Sequence, residues 1–229
     1  MKISVLLPTR NRVEMVIKTL KSLYATVSDK DRLEIILGLD FDDTSITDLE
    51  IALDIPDFDG CDIKLSIFKE RHGYVQLHKY INRMSKEAEG DWLFLWNDDS
   101  YIITENWDKL LEEYKDNFVL LSPKVKENPN YPGSMFPFIP KKWVEVTGHY
   151  ALNCHNDSWV EEIAKKLDIF VYIPMWVSHL RDQFRSGQLS DQTWKERRQD
   201  KKGYASEPMR KQRKLDRENI KNHIATYYE

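Results

Sequence analysis

Trp92-Leu93-Phe94-Leu95-Trp96-Asn97-Asp98-Asp99-Ser100 sets five consecutive apolar residues directly against an amide and two acids. A short run with no polar face suits a strand covered on both sides, the central position of a parallel sheet. No spacer follows, so such a strand delivers Asn97, Asp98 and Asp99 straight to the rim of the sheet. Crowded carboxylates repel one another, and burial sharpens the repulsion. A hard divalent cation such as Mg2+ or Mn2+ relieves it, taking carboxylate oxygens while keeping positions for phosphate. A polar turn after a strand has the same composition, so this stretch alone leaves both open.

Outward from it, short apolar runs alternate with amphipathic stretches. Ile3–Leu7, Leu33–Leu39 and Asp62–Phe68 read as strands, and Arg12–Ala25 and Val75–Ala88 as helices with apolar residues on one face. Asn106–Tyr114 reads as helical and Phe118–Leu121 as a strand. Lys124–Pro140, punctuated by Pro129, Pro132, Gly133, Pro137 and Pro140, is a loop with one short strand near Met135–Ile139. Asp157–Leu167 is an amphipathic helix, and Ile169–Ile173 a late strand ended by Pro174. Beyond Ser178 the chain turns polar, with helical patterns at Gln192–Gln199 and Glu207–His223. The alternation predicts an α/β domain over residues 1–180, its mostly parallel central sheet flanked by helices, and a helical C-terminal extension over residues 181–229.

Composition narrows the function classes. Of 229 residues, 41% are hydrophobic and 12% aromatic, enough for a packed core and too many for general disorder. No apolar run approaches the ~20 residues of a membrane span. The apolar N-terminal stretch is too short for a signal peptide, so a cytoplasmic protein is expected. Cys61 and Cys154 make neither a zinc site nor a disulfide framework. The net charge of −4 is uneven: residues 181–229 carry 13 Lys/Arg against 8 Asp/Glu, a balance of +5, which leaves −9 on the rest. A solvated helical face explains such a tail, and so does contact with a membrane surface, a nucleic acid or the acidic body of the protein itself.

Polar residues gather at the C-terminal ends of three strands, where ligands bind in open parallel sheets. The ends are Pro8-Thr9-Arg10-Asn11-Arg12, Asp40-Phe41-Asp42-Asp43 and Asn97-Asp98-Asp99-Ser100. Together they suit a cation plus a polar ligand. Asp42 and Asp43 alone read as turn residues, and Trp92 and Trp96 as packing.

In order along the chain, Ser4 to Arg12, Glu34 to Asp40, Gly73 followed by Asn82, and Ala88-Glu89-Gly90-Asp91 leading into WLFLWNDDS resemble the motif series of the family 2-type glycosyltransferases of GT-A fold, over about Lys2 to Leu180. The resemblance implies a nucleotide-diphospho-sugar donor, a divalent cation (Mn2+ or Mg2+) and transfer with inversion to an acceptor that is a glycan, a lipid carrier, a protein or a nucleic acid. It assigns donor contacts to Pro8, Thr9, Arg10, Asp40, Gly73, Asn97 and Asp98, with Asn97 or Asp98 near the ribose and metal. Metal contacts fall to Asp99 and His179, and the general base to Asp157. Asn97 stands where the family's first D-x-D acid is expected, and Asn156 where its late pair has Glu. Helix capping by Asp157 and simple packing of His179 are the competing roles. Trp143, Trp159 and Trp176 fall in the half expected to meet the acceptor, where their faces would stack on a sugar or pack inside. Two other functions fit a similar sheet: a non-catalytic sugar- or nucleotide-binding protein, favoured by Asn97 and Asn156, and a sugar-phosphate nucleotidyltransferase. The latter calls for a glycine-rich phosphate loop that Pro8–Arg12 lacks.

Overall fold

Trp92–Leu95 forms a strand whose four side chains are all buried. The computed structural model describes residues 1–181, 183, 187, 195–196 and 203–227. In chain order the sheet strands are β1 (Ile3–Pro8), β2 (Leu33–Asp40), β3 (Asp62–Phe68), β4 (Trp92–Leu95), β5 (Ser100–Ile102), β6 (Leu120–Val125), β7 (Phe138–Pro140) and β8 (Phe170–His179). They form one sheet in the order β3-β2-β1-β4-β7-β6-β8-β5. β4 is central, as a run without a polar face requires. The half holding β3, β2, β1 and β4 is parallel throughout. The other half is mixed: β6 and β8 run parallel, while β7 opposes β4 and β6, and β5 opposes β8.

Helices cover both faces. On one lie α1 (Val13–Thr26) and α2 (Ile46–Leu53); Val16, Leu20 and Leu23 of α1 share a stripe at helical spacing and pack on Val5, Leu7 and Leu37. On the other lie α3 (Leu77–Glu87), α4 (Lys141–Thr147) and α5 (Asn156–Lys166), with Ile81, Met84, Trp143, Trp159 and Ile163 against Leu6, Ile36 and Leu93. Gly90 lets the turn before β4 touch β1: a Cβ there would stand 2.7 Å from the Ser4 backbone nitrogen.

Several boundaries move. Pro174 does not end the last strand, because the partner register slips there: Ser122 pairs with Tyr172 but Lys124 with Trp176. Pro174 sits in the resulting bulge, where no ladder N–H is required of it. The stretch near Asn106–Tyr114 is a 3-10 helix, Trp107–Tyr114. The strands expected at Phe118–Leu121 and Met135–Ile139 lie slightly later, as β6 and β7. α2, α4 and β5 had no strong periodic signal. Apart from Lys195 and Glu196, the pattern at Gln192–Gln199 lies outside the described residues.

The final helix, α6 (Glu207–Tyr227), packs on α4 and α5 and is not merely a solvated face. Ile220 is fully buried. Arg213 pairs with Glu162 at 2.8 Å and stacks over Tyr204, its guanidinium 3.9 Å from the ring centre. Asp216, with no exposed surface, accepts from the Trp159 indole N–H at 2.9 Å and the Gln212 amide at 2.9 Å, and meets His149 Nε2 at 3.0 Å. Arg210, Lys211, Lys214 and Lys221 stay exposed. No helix among the described residues is long and apolar enough to cross a membrane.

Replacing Asp216 strands the buried Trp159 N–H, and a lost partner of that kind costs about 1–3 kcal/mol. Asp216→Ala is therefore expected to lower unfolding free energy by about that amount in urea titrations, with an unchanged m-value.

Candidate active site

Where β1, β2 and β4 end, the backbone turns and opens a cleft of roughly 1200 Å³, counting its mouth. Pro8, Thr9, Arg10, Asp40, Gly73, Asn97, Asp98, Asp99, Asp157 and His179 all line it, so residues spread over most of the sequence meet at one place.

Its floor is built on buried carboxylates. Asp98 is 4% exposed and Asp99 9%. The turn that holds them is fixed from α1, whose Thr19 hydroxyl donates to the carbonyls of Asp98 and Ser100, each at 2.9 Å. Asp98 accepts from Arg12 at 2.7 Å and from the Thr9 hydroxyl at 2.7 Å. Burial is the main influence on its carboxyl and pushes its pKa up, against the pull of Arg12. For Asp99, burial acts upward, but His179, Arg12 and a backbone N–H together hold the carboxyl below its ordinary pKa. Antiparallel pairing explains their meeting: Ser100 on β5 stands opposite His179 on β8, which brings His179 Nε2 within 3.3 Å of the Asp99 carboxylate. One carboxylate is thus met by a guanidinium and the other by an imidazole.

The wall at β2 is a second network. Asp40 accepts from the Tyr80 hydroxyl in a short hydrogen bond, from Arg10 at 3.0 Å and from the His72 N–H at 3.3 Å. Burial, and then the bond to Asp40, pushes the Tyr80 phenol above its ordinary range. Arg10 also grips Asp42 with two bonds, at 2.7 and 3.1 Å, which holds the Asp42 carboxyl below its usual value. Asp43 is a turn residue, as expected, accepting from Asn11 N at 3.0 Å and Ser45 N at 2.8 Å. Gly73 has φ +65°, a left-handed backbone suited to glycine, and brings the chain close to the Glu196 carboxylate.

On the far side, Asp157 occupies the first turn of α5 and accepts from the Ser158 N–H at 2.8 Å. The N-cap position belongs to His155 and no side chain caps the helix, so Asp157 is not its cap but a first-turn residue that lines the cleft. The segment before it is tied to α3 by Asn82, whose side chain accepts from Tyr150 N at 2.8 Å and donates to Ala151 O at 2.8 Å. Among the described residues, the buried His179 Nδ1 and Asn156 Oδ1 have no hydrogen-bond partner. Orphaned polar atoms lining a cleft are what an absent polar ligand would satisfy.

Some expectations are corrected. Trp143 and Trp159 are fully buried and cannot stack on a ligand; Trp176 is 38% exposed. Arg12, Tyr80 and Arg181 line the cleft without having been singled out. Arg12 stood in the quoted strand-end loop, but nothing local said which of its two arginines turns inward. A second carboxylate group, Glu34, Asp62 and Glu89, lies at the opposite, N-terminal end of the strands, its oxygens within 4.8 Å of one another. Lys64, 2.5 Å from Glu34, and Lys2, 2.9 Å from Asp62, already supply the positive charge there.

Residues 4–143, well over half of the chain, match the family model of Glycosyl transferase family 2. No curated protein matches the sequence. Among solved structures, S. aureus TarS 1–349 in complex with UDP-GlcNAc aligns at TM-score 0.63 and 16% identity, over 85% of this chain and 61% of that one. The same protein with UDP aligns at 0.60 and 17%, over 81% and 63%. The mannosyltransferase PcManGT from Pyrobaculum calidifontis, in complex with GDP-Man and Mn2+, aligns at 0.60 and 15%, over 78% and 56%. At such identities the likeness concerns the fold, which is GT-A. The chain spans about three fifths of the length of these structures' chains.

Removing the cation that balances a buried carboxylate costs more than losing a surface pair, about 3–5 kcal/mol. Arg12→Met is expected to destabilise the protein on that scale in chemical denaturation. Adding Asp98→Asn should restore a large part, since the stranded charge is then gone.

Proposed function

Because this chain belongs to glycosyl transferase family 2, we propose that it passes a sugar from a nucleoside-diphosphate donor to an acceptor hydroxyl, with inversion and with the help of a divalent cation. The observation that carries this is the Asp99–His179 pair, 3.3 Å apart on the floor of the cleft. A carboxylate and an imidazole are a ligand set that suits Mn2+, and Mg2+ through the carboxylate. Asp98, engaged by Arg12 and Thr9, shapes the floor. The cation, when bound, would stabilise negative charge gathering on the departing diphosphate.

The chain's own groups do the rest. Asp40, held by Tyr80 and Arg10, offers an acceptor to the nucleoside. Pro8, Thr9, Gly73 and Asn97 shape the donor's bed. TarS and PcManGT are seen with UDP, UDP-GlcNAc and GDP-Man, which supports a nucleotide-sugar donor here. Asp157 takes the proton from the acceptor hydroxyl as it attacks the anomeric carbon, a task for a carboxylate within hydrogen-bond reach. Residues 1–180 form the transferase domain and 181–229 an extension that braces it. Free Cys61 and Cys154 support work in the cytoplasm.

Two variants test this. Asp157→Asn is expected to lower transfer by about 10²–10⁴ while nucleotide affinity persists. Asp99→Ala is expected to abolish the Mn2+ dependence of UDP or GDP affinity, read by calorimetry without turnover. Nucleotide binding that ignores Mn2+ in the unaltered protein would refute the cation site, and a product that retains the donor's anomeric configuration by NMR would refute direct displacement.

A further inference from the structure

The cations of α6 are not spread evenly around the helix. Arg210, Arg213, Lys214 and Arg217 stand at i, i+3, i+4 and i+7, the spacing of one helical face. Across a groove they meet Lys166, in the last turn of α5. Five cations line this groove against a single acid, Glu162. Glu162 is already taken: it accepts from Lys166 at 2.7 Å, from Arg213 at 2.8 Å and from the Tyr204 hydroxyl at 2.7 Å. Lys214 has a loose, exposed partner in Glu218 at 3.9 Å. Among the described residues, the side chains of Arg210 and Arg217 have neither an ion pair nor a hydrogen bond.

Such crowding works against the helix, because like charges one turn apart destabilise it. Elsewhere α6 relieves this strain, and Lys211 pairs with Glu207, four residues back, at 2.8 Å. On the groove side Arg210, Lys214 and Arg217 are one another's neighbours instead. Positive charge gathered in a concave place between low-dielectric walls focuses its field and draws anions in. Guanidinium groups add direction, since their planar forks match the oxygens of phosphate in pairs.

We propose that the groove between α5 and α6 binds a soluble small molecule carrying two phosphate groups, held chiefly by Arg210, Lys214 and Arg217. Charge decides the chemistry. Five cations less one acid leave the lining a surplus of four positive charges. A carboxylate brings one negative charge, whereas each phosphate monoester brings about 1.5 to 2 at neutral pH, so two phosphates balance the lining. Shape decides the source. The lining reaches as deep as Arg213, 5% exposed, where a ligand must enter between two helices. A flat lipid surface or a phosphodiester strand would meet the outer turns of α6, where Lys211 and Lys221 are offset by Glu207 and Glu218. No residue lines both this groove and the cleft, so the inference stands apart from the transferase reading.

The test is calorimetric titration of the full chain with inorganic pyrophosphate in EDTA, which removes any cation-dependent binding in the cleft. NMR of the Trp159 indole N–H reports the location, because the Arg213 guanidinium lies 5.2 Å from the centre of that ring. Pyrophosphate is expected to shift this resonance, to bind more tightly than acetate at equal ionic strength and to raise the unfolding midpoint as its concentration rises. Its affinity should fall at least about tenfold in Arg210→Ala/Arg217→Ala. An unfolding midpoint equal to the parent's without pyrophosphate excludes misfolding, and Arg210→Gln/Arg217→Gln replaces the alanine variant should that one unfold. No binding at millimolar pyrophosphate, acetate binding as tightly, or affinity unchanged by the variants would overturn the proposal. So would binding of phosphatidylglycerol vesicles or single-stranded DNA through Arg210 and Arg217 in place of pyrophosphate.

Discussion

Two adjacent carboxylates at the end of a fully buried strand are the constraint around which the molecule is arranged. An ionised group removed from water needs a partner close at hand. Asp98 finds Arg12 from the end of β1, and Asp99 finds His179 from the end of β8. Those partners come from opposite ends of the chain, so satisfying the pair requires the whole sheet. The parallel half brings Arg12 within reach, and the antiparallel return of β5 along β8 brings His179.

The asymmetry between the two acids matters for chemistry. Asp98 is closed off by a guanidinium and a hydroxyl, while Asp99 has only an imidazole. Asp98 is therefore tied to a partner whose charge is effectively permanent, and Asp99 is not. The same logic separates the cleft from the carboxylates at the other end of the strands, where Lys2 and Lys64 already stand in the gaps.

Much of this was legible in the sequence, for physical reasons. WLFLW has no polar face, which fixed β4 as central, and the strand ends named Asp40, Asp98 and Asp99 because ligand-binding edges follow from parallel topology. His179 was found only through family resemblance; its contact with Asp99 depends on β5, three residues long and invisible as a pattern. Tyr80 falls on the apolar face of its helix and is buried, yet its hydroxyl reaches Asp40, which periodicity alone does not report. Pro174 misled because a proline forbids a ladder bond, not a strand, and the bulge supplied the exemption. The tryptophans divided by burial, which periodicity does not report for lone residues in loops and strand edges.

The anchoring of α6 has a temporal side. Trp159 of α5 is held through Asp216, which is synthesised after every strand of the sheet. Asp157 lies in the first turn of that same helix. The sheet, whose last strand ends at His179, is complete earlier in synthesis, and domains fold as their segments emerge. A growing polypeptide therefore forms the sheet first and seats α5, at one side of the cleft, firmly only once α6 has emerged and docked.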